Sequence, residues 1–219
     1  MGTGQVGSPA LLRVFAAFVT RFEQSFAALP TKVRTFLAIR VGDEVEAAIY
    51  RLIEALRAPD DGVAWARRDK LHVTLKFLGT AIDSARLAPL AEAVAEVSKA
   101  AAAFQVRTRG IGDFPNLRRP RVLWTGLESQ ALMRLASQIE DAAAHLGFER
   151  AERPWAPHLT IARIRDPRRV RGLLGRLQAV NQSEFGESRV AEIALYRSHL
   201  SSNGSTYERL ATFPLNGSE

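Results

Sequence analysis

The sequence predicts an α+β fold with largely antiparallel sheets. Three observations carry this. Strand-type alternation and helix-type periodicity occur side by side, they follow no regular βαβ rhythm, and several strand-like runs are close neighbours joined by turn clusters. At 219 residues, with 47% hydrophobic and 24% charged residues, the chain can bury a real core and is not a disordered protein.

Residues 1–33 read as an N-terminal extension. The first nine are small and Gly-rich. Leu11, Leu12, Val14, Phe15, Phe18, Val19, Phe22 and Phe26 then recur near helical spacing, which predicts an amphipathic helix. Arg13, Arg21 and Glu23 interrupt this run, whereas a membrane span needs about 20 apolar residues. The start is not basic, as a secretory signal would be. A membrane-surface or targeting helix is the alternative.

Residues 34–41 (RTFLAIRV) predict the first strand. Asp43 with Glu46 three residues on reads as a capping box. The helix it opens carries Val45, Ile49, Leu52, Ile53 and Leu56 on one face and ends at the Pro59-Asp60-Asp61-Gly62 turn. Strands are expected at 63–67 and 71–78, a helix at 85–103, and strands at 104–110 and 122–126. A helix at 129–146 stops at Gly147. A strand at 159–164 precedes a helix at 167–179, with Pro167 in its first turn. Strands at 190–198 and 206–215 flank the turn Ser202-Asn203-Gly204, and residues 216–219 read as a frayed tail.

The chain has no cysteine, which excludes a disulfide framework, Cys-ligated zinc, an iron–sulfur cluster and a thiol nucleophile. Thirty basic against 23 acidic residues give a formal charge of +7. That balance suits a polyanion such as RNA or a phosphate-bearing substrate, although an Arg-rich surface without a target has the same composition.

Two segments carry the chemistry. One is Leu71-His72-Val73-Thr74-Leu75-Lys76-Phe77. The other is Pro157-His158-Leu159-Thr160-Ile161-Ala162-Arg163. In a strand, His and Thr two residues apart share a face while the apolar residues between them face a core. One such run is usually an ordinary strand; two runs among four histidines are a much stronger signal. His145, near a helix end, and His199, after a strand, read as structural, with a peripheral substrate contact as the alternative for His199. Two imidazoles can coexist near neutrality, one neutral and one protonated. The neutral one accepts a proton from a nucleophile and the charged one donates to a leaving oxygen, while threonine hydroxyls hold phosphoryl oxygens. The set suits phosphodiester hydrolysis, above all of a strained cyclic diester. No Gly-x-Ser-x-Gly elbow, His-Glu-x-x-His, P-loop or dinucleotide fingerprint is present, and neither metal nor cofactor is expected.

These motifs resemble the two-histidine (2H) phosphoesterase superfamily, and within it the RNA 2′,3′-cyclic phosphodiesterases, also called 2′-5′ RNA ligase-like proteins. Arg34-Thr35-Phe36-Leu37-Ala38-Ile39, Arg121-Val122-Leu123-Trp124-Thr125-Gly126, Leu195-Tyr196-Arg197-Ser198, Gly204 and Tyr207 extend the resemblance from about Arg34 to Leu215. It implies two pseudo-symmetric lobes around a central cleft, in one catalytic domain over 34–215. It implies metal-independent opening of an RNA-terminal 2′,3′-cyclic phosphate to a 2′-phosphate. His72 would be the general acid at the 3′ oxygen and His158 the general base that activates water, though near symmetry makes the roles exchangeable on paper. Thr74 and Thr160 would hold phosphate oxygens. Arg163 would lie near the phosphate, but its odd offset from His158 requires a bend or bulge in the strand. Phe36 would stack on a base or pack in the core, and Trp155 faces the same choice. Lys76 would share the His72 face if the strand were regular, with solvent exposure as the plainer outcome. The expected partner is an RNA end bearing a cyclic phosphate, with no membrane partner, for a cytoplasmic monomer. The alternatives are a 2H enzyme acting on 2′-5′ linked oligonucleotides or a small cyclic nucleotide phosphate, or a non-catalytic RNA-binding module. The last would use Arg118, Arg119, Arg121, Arg165, Arg168, Arg169 and Arg171.

Overall fold

The computed structural model describes residues 22–217, apart from Gln24, Asp60, Leu117, Arg118 and Asn203 and the side chains of Arg171 and Leu174. The expectations for residues 1–21 and for Arg118 lie outside the described residues.

Among the described residues, nine strands form two antiparallel sheets. The first has the order β3 (Val73–Asp83), β1 (Lys32–Ile39), β8 (Glu192–Ser201), β9 (Gly204–Pro214). The second has the order β2 (Val63–Trp65), β6 (His158–Ile164), β5 (Val122–Glu128), β4 (Phe104–Phe114), β7 (Glu184–Val190). Helices α2 (Leu87–Ala100) and α3 (Gln130–His145) pack on each other and on the first sheet. Helices α1 (Asp43–Leu56) and α4 (Arg171–Val180) pack on the second. This is the expected α+β architecture, with a crossing the sequence did not disclose. Helix α1 follows a strand of the first sheet but covers the second; α3 follows a strand of the second but covers the first. Each lobe is therefore completed by a helix from the other.

The apolar stripe of α1, from Val45 through Ile49 and Ile53 to Leu56, is buried as its periodicity predicts. Its start is not a capping box. The N-cap is Gly42, with no side-chain cap. Glu46 turns away from the helix terminus to bind Arg40 and Arg68, because two guanidinium partners outweigh one backbone N–H. Ser129 does cap α3, accepting from the Leu132 amide at 3.4 Å.

Strand β4 runs past the expected stop at Gly110 because that residue adopts φ 71°, where the register against β5 shifts. Strand β7 was not foreseen. Its sequence, EFGESRV, alternates poorly, and Gly186 (φ 106°) breaks the pattern. The lower boundary of the body also moves: Lys32 and Val33 belong to β1, and Phe22 and Phe26 are buried, with Phe22 5.8 Å from Phe213. The tail is pinned rather than frayed at its start. The Asn216 amide donates to the Ala101 carbonyl (2.8 Å), and its carbonyl accepts from Ala103 (2.9 Å). Among the described residues, no helix is long and apolar enough to cross a membrane.

Candidate active site

Strands β3 and β6 belong to different sheets but touch, so the two His-x-Thr segments meet where the lobes join. Trp155 fastens this junction. Its indole N–H donates to the Thr74 carbonyl at 3.0 Å, tying the loop before His158 to the strand after His72.

Both histidines are held in the same way. His72 Nδ1 lies 2.7 Å from the Lys70 carbonyl, and His158 Nδ1 lies 2.8 Å from the Ala156 carbonyl. A carbonyl only accepts, so each Nδ1 carries the proton and each Nε2 is left for chemistry. Each ring is also braced by aromatic neighbours. His72 sits 4.9 Å from Phe36 and 5.1 Å, edge-on, from Tyr207. His158 sits 5.1 Å from Phe114 and 6.4 Å from Trp124.

Burial pushes the His72 pKa below the ordinary imidazole value. The bond to the Lys70 carbonyl opposes that shift, while the positive fields of Arg163, His158 and Arg40 add to it. His158 and Arg163 therefore share one electrostatic site with His72, although their segments lie on opposite lobes. Burial likewise raises the Tyr207 phenol above its usual value, which keeps it a neutral hydroxyl beside His72.

The two strands share a further device. Opposite Leu37 and Ala38, β3 places Lys76 and Thr74, so Leu75 is an extra residue. Opposite Leu123 and Trp124, β6 places Ala162 and Thr160, so Ile161 is extra. Each bulge falls three residues after the histidine and reverses the alternation beyond it. The fourth residue after each histidine then turns inward: Lys76 is 5% exposed and Ala162 is buried. The fifth turns out to the cleft face, which puts Arg163 beside His158 and Thr160 and leaves Phe77 44% exposed. The bulge that the Arg163 expectation required is present. It defeats the expectation for Lys76, which neither shares the His72 face nor meets solvent. The Lys76 ammonium donates to Glu140 of α3 (2.8 Å) and to the Glu149 carbonyl (2.5 Å).

Phe36 is on the cleft side of β1 but only 5% exposed. Its ring lies between His72, Tyr196 (5.3 Å) and Tyr207 (5.1 Å), so it supports the histidine and offers no open face to a base. The open aromatic face in the cleft is Phe77, with the Arg34 guanidinium 4.5 Å from its ring centroid. Beside His72 a pocket of about 190 Å³ opens, walled by Phe36, Tyr196, Tyr207 and Arg209.

A family model described as the 2′-5′ RNA ligase superfamily matches residues 43–201. The chain belongs to this superfamily of two-histidine phosphoesterases. It is 34% identical over 188 residues to the RNA 2′,3′-cyclic phosphodiesterase of Methanothermobacter thermautotrophicus, covering 84% of this chain and all of that one. The Thermus thermophilus protein of the same name is 32% identical over 193 residues, covering 84% of this chain and 91% of its own. Among solved structures, one of a Thermus thermophilus protein superposes with a TM-score of 0.73 at 30% identity, covering 84% and 98% of the two chains. Escherichia coli LigT complexed with 3′-AMP gives 0.69 at 25% identity, covering 84% and 99%.

The other two histidines have partners of their own. His145 bonds the Asp141 carbonyl in the last turn of α3 (2.7 Å), and His199 pairs with Glu208 on the β8–β9 hairpin (2.9 Å). Sequence reasoning missed Phe77 and Arg34. A regular alternation sends Phe77 to the core, and only the bulge reverses it.

Proposed function

We propose that this chain hydrolyses RNA-terminal 2′,3′-cyclic phosphate to a 2′-phosphomonoester by two-histidine acid–base catalysis, with no metal in the step. The observation that carries the reading is the doubled, carbonyl-locked His-x-Thr constellation facing one cleft. The names of the relatives support the same substrate. In the step, water attacks phosphorus and His158 Nε2 takes its proton. The bond from phosphorus to the 3′ oxygen breaks, and protonated His72 gives its Nε2 proton to that oxygen. A 3′-hydroxyl and a 2′-phosphate result, and the two imidazoles have exchanged protonation states. Thr74 and Thr160 donate to the phosphoryl oxygens and Arg163 faces their developing charge. The Phe77 ring, backed by Arg34, gives the terminal base a flat surface to stack on. One copy of the chain contains the whole set, so a monomer suffices for the reaction.

His72 is biased towards neutrality in the free site. The phosphate anion offsets that bias, so the acid is charged most fully once substrate is bound. The test is incubation of an oligoribonucleotide ending in a 2′,3′-cyclic phosphate with the protein in EDTA, followed by identification of the terminal phosphate. Conversion to a 2′-phosphate, lost in His72→Ala and His158→Ala, is the expected result. No conversion by folded wild-type protein overturns the reading.

A further inference from the structure

We infer that the RNA strand upstream of the cyclic end leaves the cleft along one defined groove, lined by Arg40, Arg67 and Arg68. The inference rests on the phosphodiesterase reading and gives it a direction. In a 2′,3′-cyclic nucleotide the phosphate spans C2′ and C3′. The base leaves from C1′ on one flank of that edge, and the 5′ strand leaves through C4′ on the other. Base and upstream strand therefore depart from the reacting phosphate on opposite sides.

Strand β1 measures those sides. It pairs regularly with β8 and carries Arg34 and Phe36 on its cleft side, and Arg40, which follows its last residue, lines the pocket beside His72. Arg34 and Arg40 stand about 20 Å apart at 3.3 Å per residue, with His72 packed against Phe36 between them. The Arg34 flank holds the exposed Phe77 platform, which suits a base. At the Arg40 flank the pocket beside His72 continues, through Arg40 and Asp69, into an open groove formed with Glu46, Tyr50, Arg67 and Arg68. That flank suits a phosphate backbone.

The groove is built rather than incidental. Glu46, 4% exposed, binds both Arg40 and Arg68 from beneath, the latter at 3.2 Å. Its carboxylate sets two guanidinium groups in place while their outer edges face solvent. Arg67 is held by Asp69 at 3.0 and 3.3 Å and is 72% exposed along its side chain. Against these two carboxylates stand the three arginines, with Lys70 and Arg209 at the pocket end, so the surface is net positive. Arginines fixed by carboxylates meet a phosphate without first losing their own freedom.

The experiment compares Arg67→Gln/Arg68→Gln with wild type on two substrates, a 2′,3′-cyclic mononucleotide and an oligoribonucleotide ending in the same cyclic nucleotide, across a salt series. The variant is expected to lose about tenfold in kcat/KM on the oligonucleotide, through KM, with a shallower salt dependence as phosphate contacts disappear. Its mononucleotide turnover should stay within about twofold of wild type. Unchanged oligonucleotide kinetics overturn the groove, as do equal losses on both substrates, which would mark a structural role. An Arg34→Gln defect confined to the oligonucleotide, and larger than that of the double variant, would put the strand on the other flank and also overturn it. If wild type turns over neither substrate, the phosphodiesterase reading fails. The groove is then judged by fluorescence anisotropy of the oligonucleotide, where unweakened binding by the variant rejects it.

Discussion

The two histidine strands follow one plan for four residues from the histidine and then part. Both lock Nδ1 on the carbonyl two residues back, both place threonine beside histidine, and both bulge at the same position. Beyond the bulge β6 has Ala162 and Arg163, whereas β3 has Lys76 and Phe77. The inward residue is a small packing group on one lobe and a buried cation on the other. The outward residue is a cation on one lobe and an aromatic ring on the other. A shared scaffold fixes where the imidazoles point, and the two positions after the bulge divide the remaining work. On the proposed reading one lobe grips charge and the other offers a surface for a base.

Removing either imidazole should hurt most, because acid and base are both needed. His72→Ala and His158→Ala are each expected to lower kcat by about 100- to 10,000-fold, with the fold retained by circular dichroism. A variant with near-wild-type kcat breaks the equivalence of the two strands.

The outward residues should separate next. Arg163→Ala is expected to lower kcat by about a hundredfold, since it faces charge that develops in the transition state. Phe77→Ala should instead raise KM for nucleotide substrates by about five- to tenfold, the worth of one stacking contact, and spare kcat. The same pattern of kcat and KM in both variants would erase the division between the lobes.

The inward residues differ in stability. Lys76→Ala leaves Glu140 without its ammonium partner and should cost about 3 kcal/mol in urea unfolding, whereas Lys76→Met, which fills the space, should cost less. Glu140 also accepts from the Ala151 amide at 2.8 Å, so this pair steadies the loop leading to Trp155 and His158. Equal stability of wild type and Lys76→Ala would remove that link.

The smallest effect is the pH response. His72 titrates below its usual value of 6.5 in the free protein. As the general acid it must be protonated, so kcat/KM should fall as pH rises through that lowered value. The corresponding limb of kcat should lie at higher pH, because the bound anion favours imidazolium. A kcat/KM that rises with pH in that range would exchange the roles of His72 and His158.

The sequence disclosed the doubled motif, the antiparallel α+β class and the burial of the α1 stripe, because each depends on local period. It hid what depends on register. Lys76 and Phe77 cannot be placed until the extra residue at Leu75 is known, and nothing in Leu-Lys-Phe announces a bulge. Glu46 read as a helix cap because the capping box is local, while its actual partners Arg40 and Arg68 lie outside the helix, the second 22 residues away. Strand β7 escaped because Gly186 interrupts its alternation.

The central place of β8 in the first sheet bears on how the protein is made. β1 ends at Ile39, but its neighbour β8 begins only at Glu192, about 150 residues later in the chain. The first sheet therefore cannot close until β8 has been made, and the second needs β7, which is complete only at Val190. At about 5–20 residues per second β1 waits roughly 8–30 seconds for this partner strand. Both sheets therefore wait for the segment from Glu184 onward, and the two His-x-Thr strands gain their complete sheets close together during synthesis.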